Sequence, residues 1–169
     1  MKIVIATPLY PPEIGGPATY AKLLEDGLLA KGVEVELVKF SEVRHLPKII
    51  RHYVYYRLIL KAARSADVIL ALDPVSVGLP AMYAARKARK PFVVKIVGDY
   101  AWEQGQQRFG VKQSLDEFVM TKDVPFPVHL LKLIQTRVAR SATRIIVPSE
   151  YMKGILIKWE ITKEKIFVI

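Results

Sequence analysis

Four runs of strand length, KIVIA at 2–6, DVILAL at 67–72, FVVKIV at 92–97 and RIIV at 144–147, are nearly continuous in apolar residues. A strand with one wet face alternates apolar and polar side chains, whereas a strand buried on both faces does not. Helical stretches lie between the runs, at Ala18–Ala30, Pro47–Arg64, Ser76–Arg89, Val128–Ala139 and Tyr151–Trp159. Two further strands are expected at Val33–Phe40, which alternates, and at Ile166–Ile169. Gly98 to Pro127 reads as an irregular polar stretch. Alternating β and α with doubly buried strands means an α/β fold: a Rossmann-like doubly wound parallel sheet with helices on both faces, as a single domain over 1–169. AARSADVIL at 62–70 and VARSATRIIV at 138–147 repeat one helix-to-strand device, a basic helix end and a Ser-containing turn before a buried strand.

Composition excludes several classes. No apolar run is long enough to span a bilayer. Pro8 interrupts the N-terminus where a secretory leader would need its apolar region. The absence of cysteine removes disulfides and thiolate metal sites, so a cytoplasmic location is expected. His45, His52 and His129 are scattered, and neither a metal nor a cofactor is expected. Lysine and arginine number 26 against 16 acids, a formal net charge of +10, which favours anionic partners. Nucleic acid is not among those expected, since no recognition motif occurs and the aromatics are not interleaved with the basic residues as stacking platforms. The absence of asparagine and cysteine, with abundant Lys and Glu, leans toward a heat-adapted source.

In a doubly wound sheet ligands bind beyond the carboxyl ends of the strands. The segments placed there are Pro8–Pro17, Asp73–Ser76, Gly98–Glu103 and Pro148–Glu150. The first contains YPPEIGGPATY, in which Gly15 and Gly16 permit positive φ and close approach of an anion to backbone N–H groups before a helix. The plain alternative is a tight connector. A dinucleotide fingerprint and a Walker loop are both absent, because no G-x-G-x-x-G or G-K-[ST] occurs. The densest polar cluster is KIVGDYAWEQG at 95–105. There Asp99 follows a strand end and Glu103 comes one helical turn later, so a carboxylate is placed to accept a hydrogen bond from a substrate hydroxyl. Trp102 suits stacking on a sugar. The competing roles are a helix cap for Asp99 and core filling for Trp102; Ser149 reads as a cap.

TPLYPPEIGGPATYAKLLEDGLLAKGVEVELV and ARSATRIIVPSEYMKGILIKWEITKEKIFVI, taken with the order of elements, resemble family 4 glycosyltransferases. The resemblance is to the N-terminal, acceptor-side domain of these two-domain glycosyltransferase-B enzymes and covers nearly the whole chain. It implies retaining transfer from a nucleotide-sugar donor to a glycan or lipid-linked acceptor, as in cell-surface polysaccharide synthesis, with the donor held mainly by a second domain beyond Ile169. By position it puts Gly15 and Gly16 at the donor diphosphate, and Tyr10, Lys95, Asp99 and Trp102 at the acceptor, with Glu103 beside them. Where many relatives have a histidine this chain has Val97, which leaves Asp99 as the acid–base candidate. A retaining transfer does not require a strong protein base when the departing diphosphate oxygen takes the acceptor proton. The isolated chain is then expected to be inactive. The alternative is a non-catalytic sugar- or phosphate-binding domain of the same fold.

His45 to Ala66 mixes Lys48, Arg51, Arg57, Lys61 and Arg64 with tyrosines and aliphatics, which suits peripheral contact with a membrane. At 100° per residue, Lys48 and Arg51 lie opposite Arg57, Lys61 and Arg64. The helix is therefore expected to break near Tyr55, or part of its charge to serve another purpose.

Overall fold

The computed structural model describes residues 1–169. Six parallel strands form one sheet: β1 (Lys2–Thr7), β2 (Glu34–Lys39), β3 (Val68–Ala71), β4 (Phe92–Lys95), β5 (Arg144–Val147) and β6 (Ile166–Val168), in the order β2-β1-β3-β4-β5-β6. The chain moves one way from β1 to β2 and the other way for every later connection. Right-handed crossovers then place α1 (Gly16–Ala30) on one face of the sheet. The other face carries α2 (Lys48–Ala63), α3 (Gly78–Ala88), α6 (Phe126–Ser141) and α7 (Glu150–Lys158). The switch point lies between β1 and β3.

The alternation of side chains along each strand divides the core. Val4, Ala6, Ile69, Ala71 and Val94 pack under the four-helix layer with Tyr55, Ile59 and Ala81. Ile3, Ile5, Leu70 and Leu72 pack under α1 with Ala21. Tyr55 is fully buried and donates its hydroxyl to the Val38 carbonyl at 2.7 Å, so its polar tip is satisfied where α2 crosses the sheet.

Two expectations change. The stretch read as irregular holds α4 (Tyr100–Arg108) and α5 (Leu115–Met120). Asp99 caps the first, and Ser114 with Glu117 forms a reciprocal capping box on the second. Both helices are short, of nine and six residues, so their periodicity is faint although the S-x-x-E box was readable. α2 also runs unbroken through Tyr55. Arg51 has the other purpose, lying over the Phe40 ring at 5.7 Å.

Gly78 opens α3 where a Cβ would stand 2.4 Å from the Asp73 carbonyl oxygen and 3.2 Å from Val138. Backbone cannot yield as a side-chain tip does. Gly78→Ala is expected to cost about 2 kcal/mol or more in urea unfolding. Gly27, exposed within α1 with nothing near its Cβ position, provides the contrast. Gly27→Ala is expected to stabilise by about 0.5–1 kcal/mol.

Candidate functional site

The loop after β1 is fixed by its own polar groups. The Thr7 hydroxyl donates to the Leu9 carbonyl at 2.6 Å, and the Tyr10 amide donates to Glu13 at 3.1 Å. Arg44, from beyond β2, pairs with Glu13 at 2.5 Å and donates to the Pro8 carbonyl at 3.0 Å. Gly15 has φ of +149° and caps α1, its carbonyl accepting from Ala18 and Thr19. That backbone region favours glycine. Pro17 has no N–H to offer, and no hydrogen bond within the protein uses the amides of Gly15 or Gly16. The first turn of α1 contains no acid. Two free donors at the positive end of a 15-residue helix stand at the sheet's switch point.

Tyr10 and Lys95 lie on the α1 side. The Tyr10 hydroxyl donates to Glu25, and Lys39 sits 4.2 Å from its ring centroid. That hydrogen bond, with burial, raises the phenol above its ordinary range. The half-buried Lys95 places its ammonium 3.0 Å from the Tyr20 ring centroid, one turn into the helix that Gly16 begins.

The loop after β4 has the opposite character. Asp99 is 1% exposed. Its Oδ1 accepts from the Trp102 amide at 2.9 Å and from Gln135 Nε2 at 2.8 Å, while Gln135 Oε1 accepts from the Ala101 amide at 2.9 Å. Oδ2 is buried without a partner. Burial pushes the Asp99 carboxyl up, and its bonds to Gln135 and Trp102 and the charge of Lys132 oppose that rise. Asp99 therefore ties α4 to α6, and its carboxyl does not open to the edge of the sheet. Trp102 is half-buried beside the cluster of Ala101, Val111, Phe118 and Val128, and donates its indole N–H to the Gln113 carbonyl at 2.9 Å. Glu103 differs from both. Its carboxyl folds against Gly98, with Oε1 2.3 Å from where a Cβ there would stand, and it makes no hydrogen bond or ion pair within the protein. Burial, then the charge of Asp99, push it up. Val97 beside it is 58% exposed.

Sequence reasoning placed the Asp73–Ser76 segment at this edge but gave Asp73, Ser76 and Tyr100 no role. Asp73 ends the β3 segment, and its Oδ1 accepts from the amides of Val75 at 2.7 Å, Ser76 at 2.6 Å and Val77 at 3.4 Å. Burial nonetheless pushes its carboxyl up to about 6. Ser76 donates to the Tyr100 hydroxyl at 3.3 Å, which joins the loops after β3 and β4. An Asp-Pro pair at a strand end was the available signal for this turn.

Residues 32–169 match the family described as glycosyl transferase 4-like domain. No curated protein sequence matches significantly. Among solved structures, the chain is similar to UDP-GlcNAc 2-epimerase from Methanocaldococcus jannaschii, at 16% identity and a TM-score of 0.64, covering 100% of this chain and 45% of that one. It is similar to Anabaena HepE, solved with UDP and glucose, at 16% identity and 0.62, covering 100% and 44%. A putative UDP-N-acetylglucosamine 2-epimerase from Listeria monocytogenes gives 14% and 0.66, covering 99% and 44%. The chain thus spans less than half the length of these structures. At such identities the likeness is one of fold, the Rossmann-like sheet expected from the sequence.

The raised Asp73 carboxyl gives a signed pH dependence. A carboxyl whose folded pKa lies above its unfolded value favours folding below about pH 4 and loses that contribution as pH rises through about 6. Asp73→Asn keeps the Oδ1 acceptor and cannot ionise. Relative to wild type, it is expected to gain on the order of 2 kcal/mol between pH 4 and 7, read from urea unfolding at each pH.

Proposed function

The chain belongs to the glycosyl transferase 4-like domain family, and on that premise we propose that it forms the acceptor-side half of a retaining glycosyltransferase. The observation that carries the reading is the pair of unused amides at Gly15 and Gly16, at the switch point of the sheet. They are suited to the diphosphate of a nucleotide sugar, the class of ligand to which the UDP held by the Anabaena neighbour belongs. The acceptor is a glycan or a lipid-linked sugar, and a second half beyond Ile169 supplies the rest of the donor site.

In this reading Glu103 touches the acceptor, because its carboxyl has no internal partner. Asp99 is a positioning residue: it caps α4, fixes the turn on which Glu103 stands, and adds the charge that raises Glu103. Trp102 and Gln135 hold that turn against α6. The glycosidic bond to the diphosphate breaks, and the acceptor oxygen bonds to the anomeric carbon on the same face. The acceptor proton passes to the departing diphosphate oxygen while Glu103 orients the hydroxyl. Tyr10 and Lys95, both expected at the acceptor, take other roles in this reading: Tyr10 shapes the first loop through Glu25, and Lys95, over the Tyr20 ring of α1, adds positive charge for the diphosphate.

Turnover tests the proposal, using a panel of radiolabelled nucleotide sugars with glycan and lipid-linked acceptors. The 169 residues alone are expected to transfer nothing. In the protein that carries both halves, Glu103→Gln is expected to lower kcat about a hundredfold with the fold intact. Transfer by the chain alone would remove the two-half reading. Activity of Glu103→Gln within a few fold of wild type would remove Glu103 from the acceptor site.

A further inference from the structure

α2 and α3 pack side by side and leave between them a groove of about 720 Å³, in the size range of ligand sites. Tyr53 and Tyr56 line it from α2, and Tyr83, Arg86, Lys87 and Arg89 line it from α3 and the residue that ends it. No acid lines the groove, and neither helix holds one. Tyr53 is 59% exposed and Tyr83 41%. Arg137 of α6 lies 5.9 Å from the Tyr83 ring, a cation–π contact that holds the ring while part of it stays open.

The three groove cations have no partner. None of them enters an ion pair, whereas Lys2, Lys22 and Arg140 elsewhere on the surface each meet a carboxylate. A helix C-terminus favours nearby positive charge, which suits Arg86 and Lys87 in the last turn of α3. It does not explain the backbone of Arg89. That residue stands at φ of +56° and ψ of +43°, the left-handed region where a Cβ is a burden and where glycine is the usual end of a helix. A cation is kept there at the expense of a better backbone fit, and its side chain faces the groove.

The groove also has a direction. Leu79, in the first turn of α3, lines its start at the carboxyl edge of the sheet, and Arg89 lines its far end. α3 has 11 residues, so the groove runs about 16 Å along it. Its start adjoins Ser76, which donates to Tyr100 on α4, the helix that carries Glu103. A second copy meeting this face symmetrically would bring cations against cations. A lone phosphate or sulfate would engage the far end and leave the tyrosines wet. A chain of sugar rings bearing repeated negative charges meets both features, because tyrosine faces accept the apolar faces of sugars and the arginine fork fits a carboxylate or a phosphate. We propose that the α2–α3 groove binds an acidic oligosaccharide, with its rings on Tyr53, Tyr56 and Tyr83 and its anionic groups on Arg86, Lys87 and Arg89. That this glycan is the acceptor rests on the transfer reading; the binding itself does not.

Calorimetry on the chain tests the binding with tetragalacturonate, neutral maltotetraose, and inorganic polyphosphate and a thymidine oligonucleotide of matched charge. At about 0.15 M salt, where long-range attraction is screened, tetragalacturonate is expected to bind at least about tenfold more tightly than each of the other three. Arg86→Gln/Lys87→Gln is expected to weaken it about tenfold or more. Lys31→Gln/Lys112→Gln, with the same change in net charge on other surfaces, is expected to stay within about threefold of wild type. Tyr53→Ala/Tyr83→Ala is expected to weaken tetragalacturonate about fivefold or more and to leave polyphosphate unchanged. Arg89→Gly relieves the backbone, so it is expected to lose affinity while its urea midpoint equals or exceeds that of wild type. Circular dichroism checks that every variant folds. Equal binding of maltotetraose and tetragalacturonate would overturn the proposal, as would an oligonucleotide or polyphosphate that binds as tightly. So would equal losses in the two charge variants, or full affinity in the tyrosine variant or in Arg89→Gly. None of these measurements reads turnover. A protein with both halves that transfers to neutral acceptors, beside a chain that ignores tetragalacturonate, would remove the groove and leave the transfer reading standing. Binding without any transfer would do the reverse.

Discussion

A parallel sheet permits no hairpins, so every strand must be followed by a crossover that returns the chain to the same edge. The rest of this structure depends on that constraint. It gathers the ends of β1, β3, β4 and β5 along one edge, so the loops between Pro8 and Ser149 that carry free polar groups lie there. It also orients α2, α3 and α6 alike. A residue's place along any of these helices therefore fixes its distance from that edge.

Within the edge, the loops are held by side chains that satisfy backbone groups. Arg44 braces the loop after β1, Asp73 collects three amides after β3, and Asp99 with Gln135 ties down the turn after β4. This division of labour separates the two carboxylates of the GDYAWE segment. Asp99 is consumed by the cap and pushed up by burial, whereas Glu103, one turn later, has a carboxyl with no internal partner. A polar residue at a strand's carboxyl end thus has two available fates, fixing the loop or meeting the ligand, and burial of the side chain separates them.

The sheet was legible because buried parallel strands leave unbroken apolar runs, and KIVIA, DVILAL, FVVKIV and RIIV each supply a strand. Gly15 was legible as a special backbone position because adjacent glycines before a helix have few other uses, and its φ of +149° agrees. α4 and α5 were not, because each is too short for its periodicity to stand out, and side-chain caps fix where each begins. Nor could sequence separate Asp99 from Glu103. That difference depends on Gln135, distant in the chain, and on Gly98, whose missing side chain makes room for the Glu103 carboxyl.

The central claim is that a nucleotide diphosphate meets this chain at the N-terminus of α1. An amide-resolved NMR titration with UDP tests it directly, because even binding in the millimolar range, worth about 4 kcal/mol, moves the amides that touch the ligand. The expected result is that the Gly15 and Gly16 amides shift most, with smaller changes in the loop after β3 and none along α2 or the second half of α3. Shifts centred on the groove between α2 and α3, or none at the two glycines at about 10 mM UDP, would contradict it.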